Sequence, residues 1–225
     1  MSLLLAIETS TKNCSVALFD NGSLLQLKEN NSEKYLHAEK LTVFIDDIIK
    51  KAKISFKEIK GVILSKGPGS YTGLRIGTST AKGLCYSLDI PLISVSTLRA
   101  MAFGMSSKNN YKFLCPMIDA RRMEVFSSIY DQKNNQVREI KADIVDSDTY
   151  LEFLKDKVVF FGDGALKCKQ AINNPNAHFI KDVYPSANDL GLLGMKKFIN
   201  KDFEDVAYFE PYYLKDFVIG AKEKS

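Results

Sequence analysis

Histidine and paired cysteine are what this sequence has least of. Only His37 and His178 occur in 225 residues, and the four cysteines form no Cys-x-x-Cys pair, so a zinc or dithiol centre lacks ligands at usable spacing. Cys14, Cys85, Cys115 and Cys168 each lie in or beside an apolar segment, which suits reduced, buried thiols in a cytoplasmic protein. Long apolar runs are also missing. Leu3-Leu4-Leu5-Ala6-Ile7 meets Glu8 at once and has no basic flank, which excludes a signal peptide or a membrane span there. Neither sign of charge dominates. The net charge is +4 and the lysines are scattered, so no basic stripe marks a nucleic-acid surface. What remains is an ordinary soluble composition, 45% hydrophobic and 26% charged, in a chain long enough for one large domain or two small ones.

The stretch Ser65-Lys66-Gly67-Pro68-Gly69-Ser70-Tyr71-Thr72-Gly73-Leu74-Arg75-Ile76-Gly77 is the most informative feature present. It joins a glycine-rich turn to a helix start directly after the apolar strand Gly61-Val62-Ile63-Leu64. Such a junction is either a tight connection or a place where backbone approaches a ligand or partner closely, with free amides at the helix start to attract an anion. Two familiar phosphate loops are excluded. Leu74-Arg75 stand where a Walker loop needs Lys-Ser/Thr, and Thr72 stands where the dinucleotide fingerprint needs its third glycine.

Periodicity organises the rest. A buried opening strand, a polar turn Thr9-Ser10-Thr11-Lys12-Asn13 and a strand over 14–19 precede Asp20-Asn21-Gly22, a tight hairpin turn into a third strand over 24–28. Leu41, Phe44, Ile45, Ile48, Ile49 and Ala52 recur at helical spacing and predict a helix over 33–51. Further helices are predicted over 72–88, from a Ser96 or Thr97 cap to 105, and over 187–200; further strands over 62–64, 92–95, 113–118, 124–130 and 158–161. The break Ser106-Ser107-Lys108-Asn109-Asn110 separates two related halves. Two α/β lobes result, 1–105 and 106–225, with the last helix free to pack back on the first.

Several segments together carry a resemblance: Ala6-Ile7-Glu8-Thr9-Ser10-Thr11, His37-Ala38-Glu39-Lys40-Leu41, the glycine-rich stretch, Ser94-Val95-Ser96-Thr97-Leu98 and Asp119-Ala120-Arg121-Arg122-Met123-Glu124-Val125-Phe126. In this order they closely resemble the TsaB (YeaZ) family of bacterial tRNA threonylcarbamoyladenosine synthesis, over nearly the whole length and more loosely in the second half. The resemblance implies an α/β, duplicated two-lobe actin, sugar-kinase and Hsp70-like (ASKHA, ribonuclease H-like) fold, each lobe built on a five-stranded mixed sheet. It implies a non-catalytic accessory subunit that binds and activates a TsaD-like threonylcarbamoyl transferase beside a TsaE-like ATPase. ATP and a metal are then expected in those partners and no cofactor in this chain, with tRNA reached only through the complex and a homodimer when partners are missing.

The resemblance also implies which residues matter. Partner contacts are expected on the two first-lobe helices at Tyr35, His37, Leu41, Tyr71, Thr72, Leu74, Arg75 and Thr78, where aromatic and arginine side chains anchor interfaces. His37, with Leu41 four residues on, is otherwise a surface structural histidine. The catalytic paralog is known for a His-x-x-x-His pair after a core strand, and here Thr97 and Met101 occupy the matching spots. A hydroxyl and a thioether hold a hard or borderline divalent ion poorly. Glu8, Ser10, Thr11, Lys12, Gly67, Gly69 and Ser70 are the candidates for nucleotide or anion contact, and Asp119 and Asp163 end strands that flank the cleft or make ordinary turns. They keep open an alternative, a small-molecule kinase or ATPase of the same superfamily. A glycopeptidase-like hydrolase ranks lower, because neither histidine has a context that pairs it with a nucleophile.

Overall fold

In the computed structural model, which describes residues 2–32, 36–106 and 111–215, the apolar N-terminal run becomes β1 (Leu3–Glu8), every residue of it buried. Strands β2 (Asn13–Asp20) and β3 (Ser23–Asn31) follow antiparallel, joined through Asn21 and Gly22, both at positive φ as a two-residue hairpin demands. Helix α1 (His37–Ala52) leads to β4 (Ile59–Ser65), α2 (Tyr71–Leu88), β5 (Leu92–Val95) and α3 (Thr97–Ser106). The second half contributes β6 (Phe113–Asp119), β7 (Glu124–Asp131), β8 (Gln136–Ile144), β9 (Val158–Phe161), β10 (Ala177–Ile180) and α4 (Ala187–Ile199).

Two five-stranded sheets result, in the orders β3-β2-β1-β4-β5 and β8-β7-β6-β9-β10. In each, three antiparallel strands are continued by two parallel ones, so the second sheet repeats the first strand for strand. This is the duplicated two-lobe ASKHA architecture. Leu41, Phe44, Ile45, Ile48 and Ile49 of α1, with Ala81 and Cys85 of α2, cover the outer face of the first sheet. Its inner face packs on Ala187, Leu190 and Met195 of α4. Helix α3 lies against the second sheet through Leu98, Met101, Ala102 and Met105, which places the α3–α4 pair between the sheets. The outer face of the second sheet is covered by turns, through Tyr150, Leu154, Cys168 and Ile172.

Some elements differ from their sequence-based bounds. Leu36 has non-helical dihedrals and ends the N-terminal side of α1, so the helix begins at His37 rather than at 33, while Tyr35 lies outside the described residues. Strands β8 and β10 were not expected: β8 is an exposed edge strand with scattered charges, and β10 spans four half-buried residues.

Candidate functional site

Everything that positions the site starts at the turn after β1. Thr9, Ser10 and Thr11 are buried, and their polar groups are largely taken up by the backbone around them. The Thr9 hydroxyl donates to Gly73 O at 2.8 Å, and Ser70 N–H donates to Ser10 O at 2.7 Å. Gly73 and Gly77 lie one helical turn apart on α2, and a Cβ on either would run into Thr9, so α2 sits as close to the turn as a helix can. The His37 Nε2 is 2.7 Å from Thr11 O. His37 is 1% exposed, which corrects the surface-histidine expectation: it seats the start of α1 on this turn. Burial lowers its affinity for a proton, against the bond to Thr11.

The glycine loop is fastened from three sides. Lys66 N–H donates to Val95 O at 2.9 Å, Gly67 at φ +103 accepts from Thr97 N–H at 3.0 Å, and Lys66 O accepts from Tyr212 N–H at 2.7 Å. Ser70 caps α2, accepting from Gly73 N–H at 3.3 Å. Glu8 lies beneath this loop, fully buried, with Oε1 accepting from Ser10 N–H at 2.6 Å and the Ser65 hydroxyl at 2.9 Å. Burial raises its carboxyl above the usual range, against those bonds.

A cleft of about 1100 Å³ opens between the lobes. Of the anion-contact candidates, Ser10, Thr11, Lys12, Gly69 and Ser70 line it, as do Asp119 and Asp163, whereas Glu8 and Gly67 are not among its lining residues. The Asp163 carboxylate accepts from Asp119 N–H at 2.9 Å, and Lys167 pairs with Asp119. Although Asp163 opens onto the cleft, desolvation between the lobes pushes its carboxyl up, against the bond from Asp119. Arg121, Arg122, Tyr184, Tyr212, Tyr213 and Lys215 also line the cleft, a set that no spacing in the chain gathers.

The helical face adjoins the cleft, whose wall includes Tyr71 and Thr72 at the start of α2. Leu41, Leu74, Thr78 and His37 point into the core, so they support the face without presenting themselves. Thr72 and Arg75 are exposed and Tyr71 is half-buried, with the Arg75 guanidinium 5.5 Å from the Tyr71 ring. Two residues that sequence reasoning passed over, Val43 on α1 and Tyr86 on α2, expose 52% and 87% of their surfaces. Neither breaks the amphipathic pattern strongly enough to be noticed in a sequence.

Nucleophile chemistry finds no support in the thiols. All four cysteines are free and buried, and burial pushes them up, to about 11 for Cys14 and Cys168 and about 12 for Cys85. Thr97 and Met101 are both packed into the interior, with the Met101 methyl against Gly162. Among the described residues no group of three His, Cys, Asp or Glu side chains could hold a metal, and no helix is long and apolar enough to cross a membrane.

Comparison with known proteins follows the same line. Residues 31–219 match the family model described as "TsaD: tRNA N6-adenosine threonylcarbamoyltransferase". The tRNA threonylcarbamoyladenosine biosynthesis protein TsaB of Bacillus subtilis (strain 168) is 30% identical, over 94% of this chain and 93% of that protein. The Escherichia coli (strain K12) protein of the same name is 29% identical over 97% of each. Among solved structures, YeaZ from Pseudomonas aeruginosa superposes with a TM-score of 0.79 at 25% identity, covering 95% of this chain and all of that one. The repeated sheets, the buried turn and these matches agree, and the chain belongs to the TsaB (YeaZ) family of tRNA threonylcarbamoyladenosine biosynthesis proteins, within the wider TsaD-type family.

Proposed function

We propose that this chain serves tRNA threonylcarbamoyladenosine synthesis as a non-catalytic accessory subunit, docking through α1 and α2 on a TsaD-like transferase and holding it in its active form. The observation that carries this reading is the filling of the two helix positions where the catalytic paralog is expected to keep its histidines. Thr97 and Met101 are buried in the interlobe core, where they serve packing. The lock on Glu8 argues the same way: the acid that a kinase of this fold would aim at its substrate is fully buried here and bonded to Ser10 and Ser65. Support for docking comes from the exposed row Thr72, Arg75, Ser79, Gly83 and Tyr86 on α2 and from the exposed Val43 of α1, a helix that packs against α2. Between Arg75 and Tyr86 this row has only the small residues Ser79 and Gly83, a shape that admits another helix closely. A TsaE-like ATPase and tRNA would then meet this chain within the complex, and a second copy could take the same face in the partner's absence.

Reconstitution tests the reading. With purified transferase, ATPase, threonylcarbamoyl-adenylate-generating enzyme and tRNA, omission of this chain is expected to lower modification by roughly ten-fold or more. Equal modification without it, or modification by this chain alone, would overturn the proposal. Val43→Asp combined with Arg75→Asp is expected to abolish co-purification with the transferase while leaving the melting temperature unchanged.

A further inference from the structure

The segment beyond α4 runs from one lobe to the other across the mouth of the cleft. Glu204 N–H donates to Leu92 O at 2.8 Å at the edge of the first sheet, and Lys82 of α2 holds Ala207 O and Phe209 O at 3.0 and 3.2 Å. Phe209 is buried in the first-lobe core. Past Pro211, Tyr212 N–H donates to Lys66 O at 2.7 Å, and Tyr212 O lies 2.8 Å from where a side chain on Gly67 would begin, so this backbone rests directly on the glycine loop. Tyr213 then packs on Tyr71, the ring centroids 4.9 Å apart. Finally Lys215 reaches the second lobe and pairs with Glu124 of β7 at 2.5 Å.

The anchors weaken along this path. Up to Tyr212 they are backbone hydrogen bonds and a buried aromatic ring. Beyond it, among the described residues, they are one ring contact, the half-buried Leu214 and an ion pair whose lysine side chain is 51% exposed. An exposed ion pair and a single aromatic contact each shift an equilibrium by only about two- to ten-fold. These contacts hold the stretch without locking it, and among the described residues it is the one that passes from Tyr71 on one wall of the cleft to Glu124 on the other.

We propose that residues 212–215 form a releasable strap, hinged at Tyr212 on the glycine loop and detachable at Tyr213 and Lys215, whose release opens access to the half-buried Ala120 on the second-lobe wall of the cleft without unfolding either lobe. The strap also touches Tyr71, the residue against which Arg75 rests, so it links the cleft to the start of the exposed row on α2. This linkage stands whether or not the partner reading above is right.

The full chain offers a clean test, because it has no tryptophan and no exposed cysteine among its four. Tyr213→Trp places a single indole in the strap, and Ala120→Cys places a single reactive thiol on the half-buried second-lobe wall of the cleft. Introducing Lys215→Glu into each is expected to raise acrylamide quenching of the indole and maleimide labelling of the thiol by roughly two- to five-fold. Adding Glu124→Lys, which restores the ion pair with its signs exchanged, is expected to return both towards the starting values. If neither signal responds to Lys215→Glu, the strap is not held by its outer anchors and the proposal fails. The two readouts are in separate variants, so misfolding of one leaves the other decisive.

Discussion

The two lobes share a sheet and differ in what covers it. After β4 the first lobe turns through its glycine loop into an 18-residue helix, whereas after β9 the second lobe turns through Gly162-Asp163-Gly164 into a three-residue 3-10 turn at Leu166–Cys168. Only the first lobe therefore has a long, stiff outer surface suited to helix-on-helix docking. The second lobe stabilises its outer layer differently. Asp143 accepts from Arg138 at 2.5 and 2.9 Å, from Ser127 at 2.5 Å and from Tyr150 at 3.0 Å, a charged cluster, whereas the bodies of α1 and α2 cover their sheet through apolar side chains. Duplication has thus preserved the hydrogen-bonded frame while leaving the layer outside it free to change.

Replacing Phe160 should have the largest effect. Its ring is fully buried, 5.1 Å from Phe179 and 5.4 Å from Tyr150, and Phe160→Ala is expected to cost about 3–5 kcal/mol. Urea unfolding followed by probes in each lobe would show whether the second lobe then melts first; coincident curves would mean that the difference in covering does not divide the stability. Asp143→Ala comes next, at about 2–4 kcal/mol, because it strands a mostly buried guanidinium.

Acid titration separates the lobes by sign. Burial alone would raise Asp143, but hydrogen bonds from Arg138 and Ser127 and the charge of Arg138 hold it below the usual range. Its contribution is complete above the unfolded value near 4 and is lost as pH falls through the folded one, so the deficit of Asp143→Asn should shrink in acid. Glu8 behaves oppositely. Its folded value is raised, so its contribution is complete below the unfolded value and is lost as pH rises through the folded one. Glu8→Gln should therefore stabilise at neutral pH, with the advantage vanishing toward acid. Denaturant midpoints at several pH values check both, and parallel profiles for the two variants would contradict the assignment. The smallest effect belongs to Tyr86→Ala, within about 0.5 kcal/mol in stability because the ring touches little, yet with weaker transferase binding by titration calorimetry.

Much of this frame was legible from patterning. The run at Leu3–Glu8, the Asn21-Gly22 hairpin, β9 and the Ser186-capped α4 each combine a clear period with a clear stop, and their bounds agree with expectation to within a residue or so. Strand β8 escaped because an exposed edge strand needs no clean alternation, and β10 because its half-buried Ala-His-Phe-Ile lacks the unbroken apolar run that marks the equally short β9. Within the site, the glycine loop and the turn after β1 stood out by their residue pattern, and of their residues Ser10, Thr11, Lys12, Gly69 and Ser70 line the cleft. His37 was not, since its partner is a backbone carbonyl 26 residues earlier, and neither were Arg121, Tyr184 and Lys215, which meet only through the relative placement of the lobes.

Helix α4 has one further implication, for biosynthesis. It comes from beyond the second lobe, yet it supplies Ala187, Leu190 and Met195 to the inner face of the first sheet. Until residue 199 has left the ribosome, Leu4, Ala6, Phe19 and Ile63 stay bare to water or to chaperones. The half of the molecule that is translated first is thus sealed last, and a stalled or truncated product would present a sticky sheet however well its own strands had paired.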